Sequence, residues 1–283
     1  METSGQKNIL KNCVAAWKSA GQRIGFVPTM GALHQGHLDL VRAARKECDR
    51  VLVSIFVNPL QFNNPEDLLK YPRQPEADAV LLRECGVDFL YAPGPEDFYT
   101  SPARITMEFG SAGTVLEGAM RPGHFSGVGI VLARLFHLVQ PDRAYFGAKD
   151  LQQVAVVKML VRDLEFPLEI VRCPTRREES GLAMSSRNQR LSHHGKETAS
   201  HLYQALRLAM ETGPRDPHHS RKVALEYLSA FPEIETEYIE WVDAGTMELW
   251  TGSGDLPEEA AICIAARVEG VRLIDNLIAG PGF

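Results

Sequence analysis

The sequence predicts an α/β protein, a mostly parallel sheet covered by helices that is followed by a smaller α+β region. Three observations carry this. Apolar runs of strand length alternate with helical patterns through about residue 174. The first strand, helix and second strand, "RIGFVPT" to "RVLVSIFVN", read as a βαβ unit, which must cross over to pair in parallel. After "CPTRREESGLAMSSRNQRLS" the pattern changes to two helices followed by three strands with short polar turns.

In chain order, "RIGFVPT" is the first strand, and Gly31 breaks the apolar run that contains it. An amphipathic helix follows over about 36–48, and "RVLVSIFVN" is a Val- and Ile-rich strand. A helical "EADAVLLRECG" precedes the strand "VDFLYAP", and "GVGIVLARLFHLVQ" precedes "RAYFG". "DLQQVAVVKMLVRDL" leads to "LEIVRCP". Repetition of this kind argues for a parallel sheet with helices on both faces. The glycine-rich "RPGHFSGV" reads as a mobile flap. A boundary near 174–176 divides the chain into regions 1–174 and 175–283. In the second, a helix over about 194–212 is broken by "GPRDPHHS", and another runs through "RKVALEYLSAF". "TEYIEWVD", "AAICIAARV" and "VRLIDNLI" read as antiparallel strands.

Composition narrows the function classes. The 283 residues are 45% apolar and 23% charged, a globular composition. The net charge of −6 gives no basic footprint for nucleic acid. The longest apolar runs are strand-length, which argues against a membrane protein. The N-terminus lacks the basic-then-apolar order of a signal peptide, so a cytoplasmic setting is expected. Five scattered cysteines with no CxxC fit reduced thiols.

The stretch "FVPTMGALHQGH" places His34 and His37 three residues apart on a glycine-bearing turn, at the start of a helix. Ligands of open parallel sheets sit beyond the strands' carboxyl ends. There the unpaired N–H groups of a helix start attract anions, phosphates above all. Gly31 and Gly36 let backbone come close to such a ligand. An ordinary loop, or part of a zinc site, would use the same residue types. No third Cys, His or carboxylate ligand stands at a recognisable spacing, however.

Taken in order, "PTMGALHQGH", "SIFVNPLQF", "YPR", "LEGAMRPGHFSGV", "LVQPDRAYFGAKDLQQ", "GLAMSSRN" and "RLIDN" closely resemble the pantoate–β-alanine ligase (pantothenate synthetase) family. The resemblance covers nearly the whole chain. The wider HxGH nucleotidylyltransferase superfamily shares only the histidine turn and a looser second loop. The resemblance implies a Rossmann-like first region, a smaller C-terminal lid, a homodimer, and magnesium accompanying ATP. It also implies a two-step reaction, in which pantoate attacks the α-phosphate of ATP and β-alanine then displaces AMP.

By the same resemblance, Met30, Gly31, Ala32, Leu33, His34, Gln35, Gly36 and His37 line the ATP site. His37 is the family's proton donor, and both imidazoles donate to phosphate oxygens. Gly147, Ala148, Lys149 and Asp150 shape the nucleotide pocket, with Lys149 charged against the phosphates. Met184, Ser185, Ser186 and Arg187 form a second phosphate loop, and Arg176 stands beside the adenosine. Gln61 and Gln153 hold pantoate, Gln61 also adjoining β-alanine. Pro28 and Phe62 give apolar walls, and Asn58 orients the histidine turn. Asp78 is the expected magnesium carboxylate, and His124 is expected near the substrates.

Two positions depart from the family pattern: Ala148 where Glu is expected, and Arg176 where a small or apolar residue is usual. Rival readings are an adenylyltransferase with a phosphorylated acceptor, an aminoacyl-tRNA synthetase, and a non-catalytic scaffold. The glutamine pair argues against the first, size and acidic charge against the second, and the intact phosphate-facing residues against the third.

Overall fold

The structure is a computed structural model that describes residues 1–253 and 255–280. Six parallel strands form the first sheet: β1 (Glu2–Ser4), β2 (Ile24–Thr29), β3 (Arg50–Ile55), β4 (Phe89–Tyr91), β5 (Arg143–Gly147) and β6 (Glu169–Cys173). Their spatial order is β1-β4-β3-β2-β5-β6. Strand order therefore reverses at β2, which pairs with β3 on one side and β5 on the other.

Successive side chains of a strand point to opposite faces, and both faces of this sheet are covered. Ile24, Phe26, Leu52, Phe89, Tyr91, Ala144 and Phe146 enter one core, against Leu10 and Val14 of helix Lys7–Ser19 and Val128 to Val139 of helix His124–Val139. Val27, Val51, Val53, Leu90 and Tyr145 enter the other, against Leu40, Val41 and Ala44 of helix Gln35–Glu47. This is why the strands read as continuous apolar runs. Each fully buried large side chain contributes about 2 kcal/mol.

The second sheet is antiparallel, in the order β7 (Glu235–Asp243), β8 (Ala260–Val268) and β9 (Val271–Ile278). Ile262, Ile264 and Trp241 face helices His193–Thr212 and Pro217–Leu228. The alternate residues Ala261, Cys263 and Val242 face the first sheet's layer, meeting Ala112, Leu116, Phe125, Leu151, Ala155 and Val156 in an apolar seam. A buried ion pair reinforces it. Glu117 accepts from both terminal nitrogens of Arg272 at 2.6 Å and from the Tyr238 hydroxyl at 2.9 Å.

The sequence-based elements agree with the structure within a few residues, with three differences. Helix Pro217–Leu228 begins inside the expected break, because Pro217 suits a first helical turn and Asp216 caps it by accepting from the His219 N–H. "RPGHFSGV" is not a flap: Gly123, in the left-handed region at φ 82°, starts helix His124–Val139, and Phe125, Gly127 and Val128 are buried. Strand β1, helix Lys7–Ser19 and the short helices Pro65–Leu69, Pro95–Phe98, Ser111–Thr114 and Glu117–Met120 had no counterpart in the sequence reading.

Candidate active site

The site lies at the carboxyl ends of β2 and β5, where the strand order reverses, the usual ligand position of an open parallel sheet. Here a cleft of about 220 Å³ is lined by Pro28, Met30, His34, Gly36, His37, Asn58, Gln61, Gly147, Lys149, Asp150, Gln153, Arg176, Met184, Ser185, Ser186 and Arg187. Sixteen of the positions expected from sequence thus converge on one space from five separate stretches of chain. The floor is apolar, with Phe56, Phe146, Val131 and Leu135 among its side chains.

The histidine turn is built from its backbone outward. Gly31 and Ala32 take positive φ, 86° and 50°, so the chain reverses sharply after β2. Asp78, from helix Pro75–Glu84, holds that shape: its two carboxylate oxygens accept from the N–H groups of Ala32 and Leu33 at 2.9 and 2.8 Å. His34 then caps helix Gln35–Glu47, its Nδ1 accepting from the Gly36 N–H at 3.2 Å. His37 returns the bond, its Nδ1 accepting from the His34 N–H at 3.3 Å, a reciprocal cap made by two imidazoles.

Backbone N–H groups only donate, so each Nδ1 is unprotonated and each ring carries its hydrogen on Nε2. Burial, then the charge of Lys149, lowers His34 to about 4; burial, then His34 and Lys149, lowers His37 to about 3. Both rings are neutral donors at pH 7, with centroids 4.1 Å apart. Positive charge comes instead from Lys149, Arg176 and Arg187. Each stands beside a carboxylate: Lys149 with Asp150 at 3.7 Å, Arg176 with Asp39 at 3.7 Å, and Arg187 with Asp67 at 3.0 Å.

Gln61 has a fixed polarity. The Asn58 Nδ2 donates to the Gly127 carbonyl and to Gln61 Oε1, both at 3.1 Å, while Asn58 Oδ1 accepts from the Leu60 N–H and the Tyr99 hydroxyl. The backbone partners allow no flip of Asn58. Gln61 must therefore turn its oxygen to Asn58 and its amide nitrogen toward Met30 Sδ, 3.2 Å away. Its backbone carbonyl accepts from His124 Nδ1 at 2.8 Å and Arg121 Nη2 at 3.2 Å.

Several expectations need correction. Asp78 is only 1% exposed, and two backbone amides engage its oxygens, so it braces the turn and is no open metal ligand. Asn58 orients Gln61, not the histidine turn. Phe62 stacks edge-on against Tyr71 and lines the adjoining cavity instead of the cleft. The Ser186 hydroxyl donates to the Ala32 carbonyl at 2.9 Å, fastening the second loop to the histidine turn. Gly31, Ala32, Leu33, Gln35 and Ala148 shape the backbone without lining the cleft, and His124 lies behind Gln61.

Tyr71, Asp67 and Arg121 were missed. Tyr71 carried a signal, since "YPR" belongs to the resemblance, and it lines the cleft beside Ser186. Arg121 lies in "LEGAMRPGHFSGV", which also belongs to the resemblance, whereas Asp67 gave no signal, because its partner Arg187 is 120 positions away.

For magnesium, the described residues hold no group of three or more His, Cys, Asp or Glu able to cage an ion. Asp150 is the carboxylate that lines the cleft.

A parallel sheet with an HxGH helix start at its reversal point, a lysine turn on the next strand and a Ser-Ser-Arg loop opposite defines an enzyme of the HxGH nucleotidyl-transferring class. Residues 2–278 match the sequence model of the family described as Pantoate-beta-alanine ligase. The chain belongs to that family. It is 51% identical over 268 residues to the pantothenate synthetase of Cytophaga hutchinsonii, covering 94% of each chain. The crystal structure of pantothenate synthetase from Thermus thermophilus superposes with a TM-score of 0.91 at 45% identity, over 98% of this chain and 99% of that one. A pantoate–β-alanine ligase from Francisella tularensis, solved with a β,γ-ATP ligand and β-alanine, gives 0.81 at 35% identity over 100% of both.

Proposed function

We propose that this chain condenses pantoate with β-alanine at the expense of ATP, through a pantoyl adenylate. An ionised carboxylate and an amine do not form an amide in water, because oxide is a poor leaving group. The carboxylate must first become a mixed anhydride. At pH 7 it is already ionised, so the first step needs no general base. A pantoate oxygen bonds to the α-phosphorus as the bond to pyrophosphate breaks. The site has to align the two partners and neutralise the charge gathering on the phosphate oxygens.

The observation that carries this reading is the pair of neutral Nε2–H imidazoles set beside Lys149, Ser185 and Arg187 in one cleft that also holds Gln61 and Gln153. Gln61 offers pantoate a donor. Gln153 lines the same space, and uncharged amides hold hydroxyls without competing for the charge of ATP. Arg187 exchanges Asp67 for phosphate oxygens when ATP enters. Pro28 and Met30 wall the substrate, and Met184 and Arg176 flank the adenosine. Asp150 is the residue that would hold magnesium, which would supply charge neutralisation on the phosphates. In the second step the β-alanine nitrogen bonds to the acyl carbon and AMP leaves.

The same reading makes residues 1–174 the ATP- and pantoate-binding domain, residues 175–283 the donor of the second phosphate loop, and the protein a cytoplasmic homodimer. Among the described residues no helix is long and apolar enough to cross a membrane. A coupled assay tests the function: AMP release should require both pantoate and β-alanine, and pyrophosphate release should require pantoate. Pyrophosphate formed with another acceptor and not with pantoate would overturn the assignment.

A further inference from the structure

Lys149 sits on a single tight turn, Ala148–Asp150, between β5 and helix Leu151–Asp163. Among the described residues its ammonium has one ion-pair partner within 4 Å, Asp150 at 3.7 Å, and that contact is loose. A four-carbon stem placed by so little at its tip must be placed by its backbone.

The backbone is gripped from the second sheet. Asn276 lies on β9 opposite Cys263 and is 5% exposed. Its Nδ2 donates to the carbonyl oxygens of Ala148 and Lys149, at 2.9 and 2.8 Å. Carbonyls only accept, so the amide nitrogen, not the oxygen, must face the turn. Both hydrogens are used on consecutive carbonyls, which fixes the position and the rotation of the peptide from which the lysine stem rises.

Asn276 is itself framed. Its N–H donates to Asp275 Oδ1 at 2.8 Å, and its carbonyl accepts from Arg177 Nη2 at 3.3 Å. Arg177 binds both oxygens of Asp275, at 2.6 and 3.0 Å, and lies 3.9 Å over the Tyr203 ring.

We infer that Asn276 is a positioning residue for Lys149, so that the C-terminal sheet aims the phosphate-neutralising charge in the first. This rests on the reading that Lys149 meets the triphosphate. The test is a double-mutant cycle on the intact protein, measuring pyrophosphate release from ATP and pantoate in a single turnover. Asn276→Ala should slow that step about 100-fold, the loss typical of a misplaced catalytic group. In a Lys149→Ala background it should change the rate less than about twofold, because a residue acting through the lysine has nothing left to act on. Arg172→Gln, which removes a different tie between the sheets, the pair with Glu259, should leave the rate unchanged.

An equal loss from Asn276→Ala in both backgrounds, or no loss in either, overturns the inference and leaves the function intact. A Lys149→Ala variant as fast as the parent overturns the underlying reading and the inference with it. Should Asn276→Ala fail to fold, Asn276→Ser keeps one donor and should give an intermediate loss, again erased in the Lys149→Ala background.

Discussion

Asp78→Asn separates a brace from a metal ligand. The carboxylate accepts from two backbone N–H groups, at 2.9 and 2.8 Å, in a position 1% exposed. A hydrogen bond to a charged acceptor contributes about 1.5–3 kcal/mol. Asparagine keeps one acceptor of the same shape and turns its NH2 toward the other N–H. One charge-assisted bond is lost and a buried donor is orphaned, while the cost of burying a charge is relieved. The net loss should be about 3 kcal/mol. For 283 residues, each adding about 2.1 cal/mol/K of unfolding entropy, that lowers the melting temperature by about 5 °C. The turn holds Ala32 at φ 50°, a conformation that costs about 1 kcal/mol and persists only while its surroundings impose it. Loosening it should slow adenylate formation about tenfold. Thermal melts and pyrophosphate release, each run across a magnesium titration, make the assay. The expected result is a lower melting temperature with an unchanged magnesium requirement. An unchanged melt with a raised magnesium requirement would refute the bracing argument and restore Asp78 as a ligand.

Three further outcomes are expected. Asn58→Asp removes the donor that fixes Gln61 Oε1, so the pantoate KM should rise about tenfold while that for ATP holds; equal changes in both would sink the polarity argument. His34 and His37 titrate near 4 and 3 in the folded chain but near 6.5 when unfolded, so the unfolded state takes up protons first. Stability should be complete above about pH 6.5 and fall as pH drops, by about 3 kcal/mol for His37 alone at pH 4. Ring NMR titrations should show neutral imidazoles at pH 6 whose midpoints rise when ATP is added, and midpoints near 6.5 without ATP would contradict this. Glu117→Ala takes one of two carboxylates from Arg272, which keeps Glu237 at 2.7 Å, and leaves the Tyr238 hydroxyl without its acceptor; denaturant melts should show a loss of about 2 kcal/mol, and a loss below about 0.5 kcal/mol would mean the pair stabilises little.

The parallel sheet was legible because burial on both faces leaves a plain trace, runs such as "VLVSIFV" that alternate with amphipathic helices. Strand β1 was not, since three residues, "ETS", at a sheet edge carry no apolar signature. "RPGHFSGV" misled because its glycines answer to packing: a Cβ on Gly127 would collide with the Leu60 carbonyl oxygen. The cleft's lining followed from local stretches that each carry their own resemblance. What those side chains hold on to did not, since the bond from Asp78 to Ala32 spans 46 positions and that from Ser186 spans 154. The resemblance placed Asn58, Asp78 and Ser186 at the site; only three-dimensional contact showed that they hold other parts of it in place.

The apolar seam under Ala261 and Cys263 governs how the molecule comes apart. Leu151, Ala155 and Val156 on one side and Val242 and Met247 on the other are buried in one shared cluster. Neither sheet can open without wetting the second, so heating should produce one cooperative transition whose calorimetric and van't Hoff enthalpies agree. A protease cut at the 174–176 connection should leave two fragments that still travel together through a sizing column.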